Sequence, residues 1–458
     1  MPDAFDVVVI GAGTGGYSGA LRAAQLGKKV ALVERDDRLG GTCLLRGCIP
    51  TKALLQSAAV MDAVTRSNEW GIKASGEPDW PTVQDFQAKV VDKLVSGLTS
   101  LVKARKIEVV KGTAKLASPS SVEVDGRKLE TGAVVVATGS QPKLLPGMEV
   151  GKRIITSDQA LTLDRIPSSA VVIGAGAVGL EFASLYRSFG AEVTLVEALD
   201  RLAPLEDEDI SKEVARAFRK RGIAAHAGAK VQEVKVGRDA VTVKFHAGGK
   251  SESVKADICL VAVGRGPVTE GLGLEDVGVE VDRGYVKVDG QCRTNVDGVW
   301  ALGDVCTSPL QLAHVSIAEG VQVAERIAGT EVPDLDYAGV PRVTFSTPEI
   351  SSVGLTEAQA KERGAEVKIE KFSMQGLGKA NMLREAGLCK VVAEKDGPVL
   401  GVHMIGPHVT DLIAEAMLIT NWEAMPSEVA ALIHPHPTLS EAIGEAHLAL
   451  AGRPLHAM

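Results

Sequence analysis

The feature that most constrains this chain's fold is a unit that occurs twice. "VVVIGAGTGGYSGALRAAQLGKKVALVE" (Val7 to Glu34) and "VVIGAGAVGLEFASLYRSFGAEVTLVE" (Val171 to Glu197) match at Gly11/Gly174, Gly13/Gly176, Gly16/Gly179, Gly27/Gly190, Val30/Val193 and Glu34/Glu197. Every pair is 163 positions apart, so the copies align without a gap. Each reads as strand, Gly-rich turn, helix, short turn, strand and terminal acid. A lone G-x-G-x-x-G is weak evidence; between an apolar strand and a helix, with an acid closing the next strand, it is a dinucleotide fingerprint. The first glycine makes the tight turn, the second lets backbone approach a pyrophosphate, and the third lets helix and strand pack closely. The helix N-terminus adds N–H donors and a positive dipole end. Glu34 and Glu197 are placed to accept from ribose hydroxyls.

Two fingerprints imply two dinucleotides, or two halves of one large site. A carboxylate at Glu197 binds a 2′-hydroxyl and repels a 2′-phosphate. In the following "ALDRLAP", Arg201 is the only base, so NAD is expected over NADP.

At 458 residues the chain is too long for one core. After the first unit, "CIPTKALLQSAAVMDAV" reads as a helix entered near Pro50, and residues 81–105 carry helical periodicity. Short strands with turn signals follow from 107 to 139 and end in "AVVVATGS". Thr138-Gly139 at that strand end suits close approach of backbone to a ligand. "ADICLVAVGRGP" closes the second unit, and "GVWALGDV" places Asp304 at a strand end, where a ligand hydroxyl fits. From about Pro341 the pattern becomes alternating strands, with a hairpin at Asp396-Gly397. Helices are expected at roughly 410–420, 426–433 and 438–450. The fold class is therefore α/β: two Rossmann-like dinucleotide-binding domains plus a C-terminal α+β domain without a fingerprint.

"GGTCLLRGCIPTK" (Gly40 to Lys52) holds two of the six cysteines. A zinc site needs a second knuckle, and none appears. A structural staple does not suit a reducing compartment, which leaves redox chemistry. Residues five apart in a regular helix have Cα atoms roughly 8–9 Å apart, whereas a disulfide needs less than about 7 Å. If Cys43 and Cys48 bridge, the segment is distorted, and Gly47 and Pro50 are the residues that permit it. The pair follows the first fingerprint by one βα unit, so it lies beside whatever that nucleotide carries. A flavin is the natural choice, since it accepts electrons from a dithiol and passes a hydride to a nicotinamide. Lys52 is either a positive charge near that flavin or a solvated helix lysine. Cys259, Cys292, Cys306 and Cys389 read as small buried hydrophobes.

"HPHPTLSEAIGE" (His434 to Glu445) sets His436 five positions before Glu441, across Pro437. This is either an oriented base, its imidazole fixed by the carboxylate, or a surface turn. Dithiol oxidation needs such a base, because the thiolate is the attacking species.

Composition excludes other classes. Net charge is −8, no long Lys/Arg run occurs, and aromatics are 3%; nothing suggests nucleic acid or a membrane surface. No apolar run is long enough to span a bilayer. The opening "MPDAFDVVVIGAG" enters a strand directly, without a targeting pattern, so a cytoplasmic location is expected.

Together these residues resemble the flavoprotein disulfide reductase family, and within it the branch that oxidises dihydrolipoamide. The resemblance runs over nearly the whole chain: "GGTCLLRGCIPTK" resembles the family's redox-active disulfide, "ATGS" and "ALGDV" its FAD contacts, and "HPHPTLSE" its His–Glu segment. It implies an FAD domain (1–145 and 268–338) interrupted by an NAD domain (146–267), then an interface domain (339–458). Cys43 would be the interchange thiol and Cys48 the thiolate beside the flavin. Lys52 and Glu181 would pair near the flavin. Glu181 lies two residues past Gly179, where an acid facing a pyrophosphate would repel it, so it should point elsewhere. FAD contacts would be Gly11, Gly13, Gly16, Glu34, Lys52, Thr138, Gly139, Asp304 and His314. NAD contacts would be Gly174, Gly176, Gly179, Glu181, Glu197 and Gly264. His436 would be the base and Glu441 its orienter, both supplied by the other subunit of a homodimer. Implied partners are dihydrolipoyl domains of 2-oxo-acid dehydrogenase complexes or the glycine cleavage H protein. Many relatives carry Asn-Val where this chain has Leu45-Arg46, and the resemblance does not account for that change.

Overall fold

The computed structural model describes residues 3–307 and 310–456. The chain divides into two compact units: 1–57, 79–143 and 264–337 form the first, and 58–78, 144–263 and 338–458 the second.

The first unit is built on a seven-stranded sheet. Strands β1 (Asp3–Ile10), β2 (Val30–Glu34), β3 (Glu108–Lys111), β4 (Ala114–Ser118), β5 (Ser121–Val124) and β6 (Arg127–Val136) take the order β3-β2-β1-β6-β5-β4, and Val299–Ala301 adds to β6. β1, β2, β3, β6 and Val299–Ala301 run parallel, while β4 and β5 pair antiparallel beside β6. Helix α1 (Thr14–Gln25) connects β1 to β2. β2 is buried along its whole length, which is why its sequence is a continuous apolar run closed by an acid and does not alternate. α1 packs on the helix Ala313–Ile327 through glycines: an added Cβ at Gly320 would lie 2.3 Å from the Gly15 carbonyl oxygen.

Between β2 and β3 come α2 (Gly41–Arg46), α3 (Cys48–Thr65) and α4 (Trp80–Ala104). The helix expected near Pro50 is α3, and the short α2 precedes it, parted from it at Gly47. Pro50 sits in the first turn of α3, where its missing N–H costs nothing. α4 opens on Asp79, whose carboxylate accepts from Thr82 N. Leu44 packs against Val91 and Val95 of α4, with Leu45 and Ile49 at the margin.

In the second unit, strands Ala224–His226, Glu192–Val196, Ser169–Ile173, Ile258–Val261 and Ile154–Ile155 form a parallel sheet in that order. A three-stranded antiparallel sheet (Lys230–Val236, Val241–Ala247, Lys250–Ala256) interrupts it; the sequence reading had not resolved this insertion. The C-terminal part is a five-stranded antiparallel sheet, Arg342–Thr344, Glu349–Gly354, Val399–Gly406, Leu388–Glu394 and Val367–Ser373. Helices Val409–Asn421 and Glu441–Leu450 bury Ile413, Ala416, Ala442 and Ile443 in its core. The helix expected at 426–433 is a single turn, Pro426–Val429, and Leu432 and Ile433 beyond it are exposed. Among the described residues, no helix is long and apolar enough to cross a membrane.

Candidate active site

The two glycine turns are built alike. Gly11 and Gly174 adopt φ +100° and +103°, and a Cβ there would lie 2.5 Å and 2.3 Å from the Ala137 and Ala262 carbonyl oxygens. At Gly16 and Gly179 an added Cβ would come within 1.9 Å and 1.8 Å of the Gly11 and Gly174 oxygens. The middle glycines differ: a Cβ at Gly176 meets nothing within 4 Å, and one at Gly13 meets only the Gly41 Cα, at 4.0 Å. The first and third glycines are therefore required by the protein's own packing, and the second faces open space. α1 and the helix Ala177–Ser188 begin at these turns with no side-chain cap and no acid in the first turn, so their N–H groups suit a pyrophosphate.

The terminal acids are held identically. Glu34 accepts from Ala12 N (2.8 Å) and Asp36 N (2.9 Å), and Glu197 from Ala175 N (2.6 Å) and Leu199 N (2.8 Å). A carboxylate has about four acceptor positions, so each acid retains capacity for a ribose hydroxyl.

Cys43 lies in α2 and Cys48 opens α3. The break at Gly47 turns the chain so that the two thiols are in hydrogen-bond contact. A side chain at Gly47 would lie 2.8 Å from the Thr42 carbonyl oxygen, and Thr51 Oγ1 donates to the Gly47 carbonyl at 2.6 Å. The hydrogen bond to Cys48, burial, and charge on Cys48 hold the Cys43 thiol well above its ordinary pKa, while the Lys52 ammonium pulls it down. Tyr17 is also raised, by burial and by the charges of Cys43 and Cys48. The remaining cysteines differ: Cys259, Cys292, Cys306 and Cys389 are fully buried, and burial pushes Cys259, Cys292 and Cys389 up to about 12. Thiols of that kind are inert at neutral pH.

Beside the first turn, Thr138 Oγ1 donates to the Val268 carbonyl (2.6 Å) and Gly139 adopts φ +72°. Asp304 sits in the short helical turn Gly303–Val305, just past Val299–Ala301, and accepts from Ser140 Oγ at 2.6 Å. Arg265 Nε donates to Ser140 Oγ (2.7 Å), and its Nη2 to the Ser140 carbonyl (2.7 Å) and Thr42 Oγ1 (3.4 Å). Sequence reasoning singled out Asp304 but missed Thr42, Ser140 and Arg265. Each directly follows a glycine of positive φ, Gly41, Gly139 and Gly264, and that adjacency was the available signal. His314 is exposed in the first turn of Ala313–Ile327.

In the second unit, Glu181 is buried and its Oε1 accepts from Phe345 N at 3.0 Å. His436 Nδ1 lies 2.8 Å from Glu441 Oε1, and Glu441 Oε2 accepts from Thr438 N at 2.8 Å. Burial raises the Glu441 carboxyl, but bonds from His436 and Thr438 outweigh it and the net shift is down. The His436 side chain is 76% exposed within the single chain. A carboxylate beside Nδ1 favours the tautomer that carries its proton there, which leaves Nε2 with the free lone pair. His434 Nε2 pairs with Glu415 Oε1 of the helix Val409–Asn421 at 2.7 Å, a second His–Glu contact beside the first.

Among the described residues, no group of three or more His, Cys, Asp or Glu side chains is placed to hold a metal ion.

Residues 5–320 match the family "Pyridine nucleotide-disulphide oxidoreductase", and residues 340–447 match its dimerisation domain. The chain is 43% identical over 475 residues to a dihydrolipoyl dehydrogenase of Bacillus subtilis, covering 100% of both. It is 41% identical over 483 residues to one of Rhizobium etli, again covering 100% of both. Among solved structures it resembles LpdA of Mycobacterium tuberculosis with a TM-score of 0.89 and 27% identity, covering 97% of this chain and 99% of that one. The duplicated turns, the paired thiols and these full-length matches agree, and the chain belongs to the pyridine nucleotide-disulphide oxidoreductase family.

Proposed function

We propose that this protein is an FAD-dependent enzyme that oxidises dihydrolipoyl groups through the Cys43–Cys48 pair and delivers the electrons to NAD+. The observation that carries the reading is the contact of the two half-buried thiols across the Gly47 break. Full-length likeness to dihydrolipoyl dehydrogenases supports the substrate class.

Gly11, Gly13, Gly16, Glu34, Thr138, Gly139, Asp304 and His314 would hold FAD, and Gly174, Gly176, Gly179, Glu197 and Gly264 would hold NAD. The FAD domain would comprise 1–145 and 268–338, the NAD domain 146–267 and the interface domain 339–458. Lys52 and Glu181 would serve the flavin's environment as a pair. When bound, FAD supplies the acceptor for the dithiol's two electrons and the hydride donor for NAD+.

The chain's own residues do the thiol chemistry. His436 Nε2 takes a proton from one substrate thiol, and Glu441 stabilises the imidazolium so formed. The substrate thiolate attacks Cys43 Sγ of the protein disulfide; the S–S bond breaks and Cys48 leaves as a thiolate. The second substrate sulfur then displaces Cys43 from the mixed disulfide. The substrate leaves as a cyclic disulfide, and Cys43 takes up a proton. Two electrons and one proton remain on the pair, and one proton is released.

A homodimer is supported by the dimerisation-domain match and by exposed apolar side chains on the C-terminal part, Trp422 at 75% and Ile433 at 97%. His436 of each copy would then serve the cysteines of the other. Partners would be dihydrolipoyl domains of a 2-oxo-acid dehydrogenase complex or the glycine cleavage H protein.

The test is anaerobic titration of the holoenzyme with dihydrolipoamide and then NAD+, followed by absorbance. Reduction by dihydrolipoamide and reoxidation by NAD+ are expected, and Cys48→Ser is expected to abolish both. Turnover in Cys48→Ser, or reoxidation by NADP+ in preference to NAD+, would sink the assignment.

A further inference from the structure

Arg46 lies between the two cysteines, where the resemblance offered no role, and it pairs with Asp36. Asp36 follows β2, and its own N–H is held by Glu34, which also holds Ala12 N of the first glycine turn. We infer that Arg46 is a positioning residue for the redox pair, tying the C-terminal end of the Cys43 helix to the loop that follows Glu34 at the end of β2.

α2 has six residues, too few to be stable or oriented on its own. Its N-terminal end is fixed by Gly40 N donating to the Ala12 carbonyl at 2.9 Å. Gly41 packs there so closely that a Cβ would lie 2.5 Å from the Gly13 Cα. Its apolar side rests on α4 through Leu44, with Leu45 at the margin. Its C-terminal end runs into Gly47, whose carbonyl is held by Thr51 of α3. The Arg46–Asp36 pair is the lateral tie at that end. Without it, α2 can rotate about Gly47, and rotation changes the separation of Cys43 Sγ from Cys48 Sγ. The guanidinium is neutralised by Asp36, so it acts on the sulfurs through position and not through its charge.

A held pair closes its disulfide more readily than a loose one, because closure is intramolecular and depends on effective concentration. The exchange is protein dithiol plus lipoamide giving protein disulfide plus dihydrolipoamide. One S–S bond forms as another breaks, and two electrons and two protons pass to the lipoamide. The inference rests on the redox reading of Cys43 and Cys48 proposed above. Loosening the tie is expected to move this equilibrium toward the protein dithiol.

The experiment equilibrates holoenzyme anaerobically in dihydrolipoamide/lipoamide mixtures and counts the trapped thiols of Cys43 and Cys48 by alkylation and mass spectrometry. Arg46→Met, Arg46→Lys, Asp36→Asn and the reversal Arg46→Asp with Asp36→Arg are compared, with FAD content and thermal unfolding as checks on folding. Arg46→Met and Asp36→Asn should each shift the equilibrium about twofold or more toward dithiol, the scale of a half-exposed ion pair. Arg46→Lys and the reversal should stay within about twofold of the wild type, since each restores the pair. A shift below about twofold in Arg46→Met overturns the inference, as does one that neither Arg46→Lys nor the reversal corrects. If Arg46→Met loses FAD, Asp36→Asn and the reversal decide by the same criteria. Failure of the wild type to form a Cys43–Cys48 disulfide in these mixtures is a different result: it removes the redox reading itself.

Discussion

His436 Nδ1 and Glu441 Oε1 lie 2.8 Å apart, and the second oxygen of the same carboxylate is taken by Thr438 N. One oxygen holds the imidazole and the other is itself held by the backbone, so the carboxylate is fixed in place; in the proposed reaction Nε2 is the reacting nitrogen. Glu441→Gln keeps the shape but removes the charge that stabilises the imidazolium. Turnover with dihydrolipoamide should fall by about 10²-fold, the scale of general acid–base catalysis, while KM for NAD+ stays unchanged. The Glu441 carboxyl is held below its ordinary pKa. Its contribution to stability is therefore present above the unfolded carboxyl range and is lost as pH falls through the folded value. The variant should accordingly show a shallower acid limb in unfolding midpoint against pH. Wild-type kcat in Glu441→Gln would remove this pair from the chemistry.

Gly47→Ala tests the break between the cysteines. The new methyl would lie 2.8 Å from the Thr42 carbonyl oxygen, so α2 must shift. A loss of about 1–3 kcal/mol in urea unfolding is expected, as for overpacking elsewhere. Disulfide formation by Cys43 and Cys48, followed by thiol counting after oxidation, should slow. Unchanged closure would mean that the pair tolerates displacement of its first helix.

The two glycine turns separate the two nucleotides. Gly16→Ala and Gly179→Ala introduce the same clash, at 1.9 Å and 1.8 Å from a turn carbonyl. Gly16→Ala should be purified with reduced FAD content, read from absorbance per chain. Gly179→Ala should keep its FAD and raise KM for NAD+. The opposite pattern would exchange the assignments of the two copies.

The repeat was legible because its determinants are local. Gly11 and Gly174, Ala12 and Ala175, and Glu34 and Glu197 sit in one βα unit, and the structure reproduces the same φ values and N–H to carboxylate bonds in each copy. The helix break was legible for the same reason, since Gly47 is adjacent to Cys48. What was not legible joins residues distant in sequence. Ser140, Arg265 and Asp304 meet only once the strands of the first unit are assembled. Arg46 and Asp36 are ten positions apart, on opposite sides of the Gly40-Gly41 turn. Each looks like an ordinary surface charge until its partner is known. The insertion at 230–256 was overlooked because its outer strands are largely exposed and lack a clean apolar alternation.

Lys390 provides the largest stability effect expected outside the site. It is 1% exposed and reaches Asp207 Oδ1 (2.8 Å), Asp209 Oδ2 (2.6 Å) and Glu357 Oε2 (2.7 Å). Burial works against its charge, but these three bonds outweigh it and its pKa is raised. Asp209 is lowered: burial opposes, while Lys371 and Lys390 prevail. Glu357 is lowered by Lys361 first and Lys390 second. Lys390→Met leaves buried Asp207 without its cation and should cost about 3–5 kcal/mol near neutrality, as for other broken buried pairs. The acids' contribution is present above the ordinary carboxylate range and fades as pH falls through their depressed values. The lysine's is present below its ordinary value of about 10.4 and fades as pH rises through the elevated one. The deficit of Lys390→Met against wild type should therefore be greatest between about pH 5 and 10 and shrink below about pH 4. Urea midpoints at pH 7 and at about pH 3 measure it. A deficit equal at both values would assign the loss to packing of the lysine stem, not to its charge.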